Sequence, residues 1–159
     1  MSDDNRLRHI YAVACRCREI AREMGEPEDF QQQMFLLGWL HDVGYEFSEN
    51  LSHGYVAYKM LEDSRLLHAG YGYRYKNEIR LHGLPMDATE RNHDIFGNPY
   101  SKPFKSKALD ILNTADILTA PNGTRVSARR RLEIVSFDYG KDSLQYKNMY
   151  KLSKELELI

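Results

Sequence analysis

The sequence predicts an all-α protein, a bundle of about six or seven helices, and three observations predict it. Segment after segment repeats its apolar residues at helical spacing, and no stretch alternates convincingly with period two. An almost wholly apolar run, Met34 to Gly44 (MFLLGWLHDVG), sits inside one of these segments. A solvated helix shows polar residues every turn, so this run reads as a central, buried helix. It ends abruptly in His41 and Asp42, two polar groups that need compensating partners if they are buried.

The elements follow in order. From Asp4 to Met24, Ile10, Val13, Cys17, Ile20 and Met24 recur at helical spacing, with Arg and Glu between them and Gly25 as a stop. His9 precedes Val13 by four residues, which places it on or beside the inward face of this helix. Pro27 fits the first turn of the second helix, Glu28 and Asp29 favour its positive end, and Phe30, Met34, Leu37 and His41 line one stripe that Gly44 closes. After the polar EFSEN loop, Ser52 caps a third helix in which His53, Ala57, Met60 and Leu61 share a face. Ser64 to Lys76 is rich in glycine and tyrosine and suits an irregular connection. Tyr75, Ile79 and His82 then form a short helical stripe closed by Gly83 and Pro85.

The segment from Leu84 to Pro103 carries Pro85, Pro99, Pro103, Gly97 and two asparagines, and reads as a long surface loop that is either functional or mobile. It holds a second His-Asp dipeptide, His93-Asp94, but no apolar stripe carries that one inward. The helix from Phe104 to Thr119 presents Ala108, Ile111, Leu112, Ala115 and Leu118, and drops one carboxylate, Asp116, into an apolar run. Pro121-Asn122-Gly123 forms a turn, and Ser127 caps a helix that opens with Arg129, Arg130 and Arg131, either a phosphate-facing patch or a solvated face. Asp142 to Leu158 is a final packing helix.

Composition narrows the classes. The 159 residues are expected to form a single domain, 1–159, and a chain of this length buries roughly 70% of its unfolded surface. A net charge of −1 exerts no global pull toward nucleic acid or membrane. No window approaches the ~18 consecutive apolar residues of a membrane span and the first residues lack the apolar core of a secretory signal, so a cytoplasmic protein is expected. Cys15 and Cys17 point about 200° apart on a helix and cannot easily bridge, and a structural zinc site of the CxxC type is excluded.

The inward-facing polar residues are therefore His9, His41, Asp42, His53, His82 and Asp116, from five helices. Four imidazoles and two carboxylates suit iron, manganese, zinc or cobalt. The order His, His-Asp and late Asp (NTADILT) in a helical domain resembles the HD superfamily of metal-dependent phosphohydrolases over nearly the full length. His53 and His82 resemble the two further histidines of binuclear members. Their surroundings, LSHGYVAYKML and NEIRLHG, look like those of the bacterial symmetrical dinucleoside tetraphosphate hydrolase branch. Tyr45 stands where many nucleotide-cleaving members carry a lysine, and Arg125 comes later after the closing aspartate than the arginine of that branch.

The resemblance implies a chemistry. His9, His41, Asp42 and Asp116 would hold one metal, and Asp42 would bridge to a second, held by His53 and His82. Iron or manganese is the implied pair. Asp42 and His41 would be the catalytic residues, a metal-activated water the nucleophile, and Arg129, Arg130 or Lys105 the phosphate binders. The substrate would be a nucleotide or another small phosphate ester or anhydride. The alternatives are a di-iron oxygenase of the same fold and a non-catalytic protein that binds a nucleotide or metal.

Overall fold

The computed structural model describes residues 3–42 and 73–159. The expected Ser52 helix with His53, the EFSEN loop, Tyr45, the Gly44 stop and most of the Ser64–Lys76 stretch lie outside the described residues. Helix α1 spans Asp3–Glu23 and α2 Glu28–Leu40, joined by a turn in which Gly25 takes a positive φ of 76°. Their shared interface is the most extensive among the described helices. The buried face of α1 is His9, Val13, Ala14, Cys17 and Ala21, close to the expected stripe; Met24, expected inward, is exposed. Met24 lies just past the end of α1 at Glu23, whereas Ala14 is buried for a steric reason. Small residues are needed where α2 crosses, because Gly38 of α2 lies directly over Ala14, and a Cβ there would come within 2.6 Å of the Ala14 Cα. Of the expected stripe, Met34 and Leu37 on α2 and His41 just past its end are fully buried, and Phe30 is partly buried.

Helix α3, Lys76–Leu81, is short, and His82 and the positive-φ Gly83 end it. Helix α4 spans Lys107–Ile117 and packs on α1, α2 and α3. It begins later than Phe104 because Ser106 is its N-cap, its hydroxyl accepting the Leu109 N–H at 3.0 Å. Ala108, Ile111, Leu112 and Ala115 join Val13, Cys17, Met34, Leu37 and Ile79 in the main core. Helices α5, Ala128–Tyr139, and α6, Leu144–Glu155, pack on each other, and α6 also reaches α4. Ser127 and Ser143 cap them by accepting the Arg130 and Tyr146 N–H groups. A second cluster of Ile117, Ala128 and Leu152 joins them to α4.

The segment 84–103 lies largely at the surface, as expected, but is more ordered than a plain loop. It carries a short 3-10 turn, Thr89–Asn92, built around Arg91, which is only 2% exposed. The Arg91 guanidinium donates to the carbonyls of Leu84 (2.7 Å) and Phe104 (2.8 Å), tying together the two ends of the segment. Its prolines and glycine mark irregular backbone, but the buried guanidinium makes that backbone a packed part of the fold. The described residues hold six α-helices and no sheet, as an all-α protein requires; two isolated bridges, His93 with Pro99 and Thr119 with Arg125, only close turns. No helix among the described residues is long and apolar enough to cross a membrane.

Candidate metal centre

Five of the six predicted polar residues come together in the described structure. His9 of α1 is 4% exposed, His41 fully buried and Asp42 8% exposed, and they meet His82 and Asp116, which lie one residue past α3 and near the end of α4. The imidazoles stand in a row, with ring centroids 5.5 Å apart for His9 and His41 and 5.3 Å for His41 and His82. The sixth residue, His53, is outside the described residues.

Helix ends explain how the rings are aimed. The last carbonyls of an α-helix have no intrahelical donor, and a histidine just beyond the end can satisfy one of them. His41 follows α2 and donates Nδ1–H to the Gly38 carbonyl at 2.6 Å; His82 follows α3 and donates to that of Ile79 at 2.5 Å. His9 lies mid-helix and takes its partner from far away, the Ala120 carbonyl at 2.9 Å. That carbonyl reaches it because the turn Pro121–Thr124 lies against α1, where a Cβ on Gly123 would stand 2.8 Å from the Arg8 oxygen. A carbonyl only accepts, so in all three rings Nδ1 bears the hydrogen and Nε2 faces inward.

The three Nε2 atoms converge on two carboxylates. His9 Nε2 lies 2.9 Å from Asp116 Oδ1 and 3.9 Å from Asp42 Oδ2, and His41 Nε2 lies 3.0 Å from Asp42 Oδ2 and 3.6 Å from Asp116 Oδ1. His82 Nε2 lies 3.5 Å from the other Asp42 oxygen, Oδ1. Asp42 thus turns one oxygen toward His9 and His41 and the other toward His82. Among the described residues the buried His41 Nε2 has these carboxylate oxygens beside it but no well-formed hydrogen bond. Metal–ligand bonds of ~2.1 Å place donor atoms about 3 Å apart when adjacent and about 4 Å apart when opposite. The observed separations fall in this range, so the donor set fits a divalent cation. That fit agrees with its chemistry, neutral imidazole with carboxylate.

The electrostatics agree. Burial opposes charging His41, but Asp42 and Asp116 outweigh it and hold the imidazole well above the ordinary histidine range. Burial likewise works against ionised Asp42 and Asp116, yet the neighbouring histidines hold both well below the usual carboxylate range. Positive charge is therefore favoured among these oxygens, as a proton or as a metal. Cys17 is close by, but burial first and Asp116 second push its thiol up, so it stays a neutral packing group.

The remaining predicted residues lie elsewhere. Lys105 precedes the start of α4, and Asp116 is nine helical residues beyond Lys107, about 13 Å along the axis. Arg129 and Arg130 are exposed at the start of α5, Arg130 pairing with Glu133 at 2.9 Å. Arg125 pairs with Glu19. The second dipeptide stays out of the cluster: Asp94 accepts the Phe96 and Asn98 N–H groups, each at 2.9 Å, and His93 Nδ1 donates to Thr89 O. Asn113, buried one turn before Asp116, bonds the Gly83 amide and was not foreseen; its place on the polar side of NTAD was the one available signal.

A helical bundle whose core gathers three imidazoles and two carboxylates into two overlapping ligand groups defines a metal-binding class of protein. The chain belongs to the HD domain family: the family model matches residues 6–120, from the start of α1 to the carbonyl that holds His9. The match encloses every residue of the cluster, and it places the chain in a superfamily of metal-dependent phosphohydrolases. No curated protein and no solved structure matches the chain significantly.

Proposed function

We propose that the protein hydrolyses a nucleotide or another small phosphate ester or anhydride at a divalent metal centre formed by His9, His41, Asp42, His82 and Asp116, with His53 as the sixth ligand. The observation that carries this reading is the convergence of three Nε2 atoms, each with its tautomer set by a backbone carbonyl, on the two carboxylates. Bound there, a pair of divalent ions supplies Lewis acidity toward a phosphoryl group and a water acidified to a pKa near ~7. The two-sided placement of Asp42 supports a bridging role for its carboxylate. His41 and Asp42, at the centre of the cluster, would act by holding the ions that activate the attacking water, and the Nδ1 hydrogen bonds keep the rings from turning away during turnover. Water adds to phosphorus, the P–O bond to the leaving group breaks, and the leaving oxygen takes up the proton.

The cluster opens at Asp116, whose side chain is 21% exposed against 0% for His41. Arg129 and Arg130 begin the helix that follows the turn after Asp116 and are the cations proposed to bind the phosphate. Lys105, at the far end of α4, would serve only a substrate long enough to run along that helix. The segments around His53 and His82 favour dinucleoside polyphosphates among the candidates. Iron or manganese is the proposed metal.

The test is metal analysis of anaerobically purified protein, followed by phosphate release from a panel of mononucleotides and dinucleoside polyphosphates. Two equivalents of iron or manganese with phosphate release are expected. Metal with oxygen uptake and no phosphate release would replace hydrolysis by oxygenase chemistry, and protein that binds no metal would overturn the reading.

A further inference from the structure

We infer that Asn113 is a positioning residue for the metal centre, acting through His82; this deepens the metal-dependent reading above and rests on it. The basis is an exchange of hydrogen bonds at the end of α3. A helical ladder continued by one residue would pair the Gly83 N–H with the Ile79 carbonyl, four residues earlier. In the structure the Gly83 N–H donates instead to Asn113 Oδ1 at 2.8 Å, and the Ile79 carbonyl accepts His82 Nδ1–H. Asn113 therefore removes the one local donor that would compete for the carbonyl on which the His82 ring is set.

The same bond has a second effect. His82 stands outside the helix, with an extended backbone at φ −63° and ψ 145°, and Gly83 turns away at φ +80°. The Asn113 bond ties this point to α4 across 30 residues of sequence, three residues before Asp116 on the same helix. Two of the cluster's residues are thereby referenced to one rigid element. Asn113 is 1% exposed, and its Nδ2 has no hydrogen-bond partner among the described residues. Leaving a buried N–H unpaired is unfavourable, so packing alone favours an apolar residue of this size; the Oδ1 acceptor is what the asparagine adds.

The experiment titrates metal-free protein with Mn2+ alone, by calorimetry, in wild type, Asn113→Leu, His82→Ala and the double variant. Asn113→Leu is expected to weaken binding by about 10- to 100-fold, the usual effect of losing a group that orients a ligand. The double variant should bind no more weakly than His82→Ala, because a residue acting through His82 has nothing left to position. Binding by Asn113→Leu at wild-type strength, or effects that multiply in the double variant, would overturn the inference. Asn113→Asp keeps an oxygen at the Gly83 amide and is expected to bind at least as tightly as wild type. Should Asn113→Leu not fold, a tenfold loss in Asn113→Asp refutes the role instead.

Nitrogen-15 NMR of the neutral His82 ring supplies a readout independent of metal. Hydrogen on Nδ1 is expected in wild type and Asn113→Asp, and a mixture of tautomers in Asn113→Leu; an unchanged tautomer in Asn113→Leu would refute the role. Wild-type protein that binds no Mn2+ would sink the metal centre itself, and the tautomer measurement would then decide the Asn113 question alone.

Discussion

Gly38→Ala tests whether the spacing of α1 and α2 sets the metal centre. The added methyl carbon would lie 2.6 Å from Ala14 Cα, 2.8 Å from Ala14 N and 3.0 Å from Val13 O. Ordinary carbon–carbon contact is about 3.5 Å or more, so α2 must withdraw by about 1 Å. All three neighbours are backbone atoms, and no change of rotamer relieves them. Overpacking of this kind destabilises by about 1–3 kcal/mol, while alanine gains about 1 kcal/mol in helix propensity over glycine, leaving a net loss of about 0–2 kcal/mol. For a chain of this size that lowers Tm by only a few degrees, about 2–4 °C per kcal/mol.

Metal binding should suffer far more. His41 follows Gly38 by three residues and is held by the Gly38 carbonyl, while His9 sits one turn from Val13 on the opposing helix. A metal site tolerates ligand displacements of about 0.2 Å, so a 1 Å separation should weaken Mn2+ binding by at least about 10- to 100-fold. Calorimetric titration gives the affinity and circular dichroism the Tm. Gly97→Ala is the control: it is strained by a φ of +84° but meets nothing within 4 Å, and should leave metal binding unchanged. If Gly38→Ala binds Mn2+ as wild type does, the helix spacing does not set the site.

Other outcomes follow from the same contacts. His41→Ala and Asp116→Ala should each abolish the rise in Tm that metal brings, about 2.7 kcal/mol of stabilisation at a hundredfold excess over Kd, whereas His93→Ala should retain it; the reverse pattern in a thermal-shift assay would move the site to the other dipeptide. Metal affinity should rise with pH about tenfold per unit, because binding must displace the proton that the raised His41 holds, and titrations across pH would show a flat profile if His41 were neutral throughout. In the metal-free protein the stabilisation from His41 is full below the unfolded histidine pKa of about 6.5 and disappears as pH rises through its raised value, while that from Asp42 and Asp116 disappears as pH falls toward their depressed values; denaturation midpoints should therefore decline on both sides. Arg91→Met should lower stability by about 3 kcal/mol or more in urea by stranding the Leu84 and Phe104 carbonyls, and a loss below about 1 kcal/mol would show that water replaces the guanidinium.

Much of this protein follows from local pattern. Helical periodicity is a property of neighbours in sequence, so the stripes of α1 and α2 already set His9 in line with Val13 and Cys17, and His41 in line with Met34 and Leu37. The caps at Ser127 and the stop at Gly83 are local as well, since one side chain or one positive φ suffices for each. The family order of His, His-Asp and Asp was readable for the same reason, and the family match over residues 6–120 agrees with it.

What tertiary structure decided is every contact whose partner lies far along the chain. His41-Asp42 and His93-Asp94 are alike as dipeptides, but only the first meets residues from α1, α3 and α4; Asp94 is taken up by its own turn. Proline and glycine in 84–103 announced irregular, largely surface backbone correctly, but composition does not reveal that buried Arg91 bonds both ends of the segment. The tautomer of His9 depends on a carbonyl 111 residues away, the place of His82 on Asn113, and the nearness of His9 to His41 on the missing side chain of Gly38. Periodicity tells which way a side chain faces; how far it then stands from another depends on packing between helices, and a metal centre is defined by those distances to within a few tenths of an ångström.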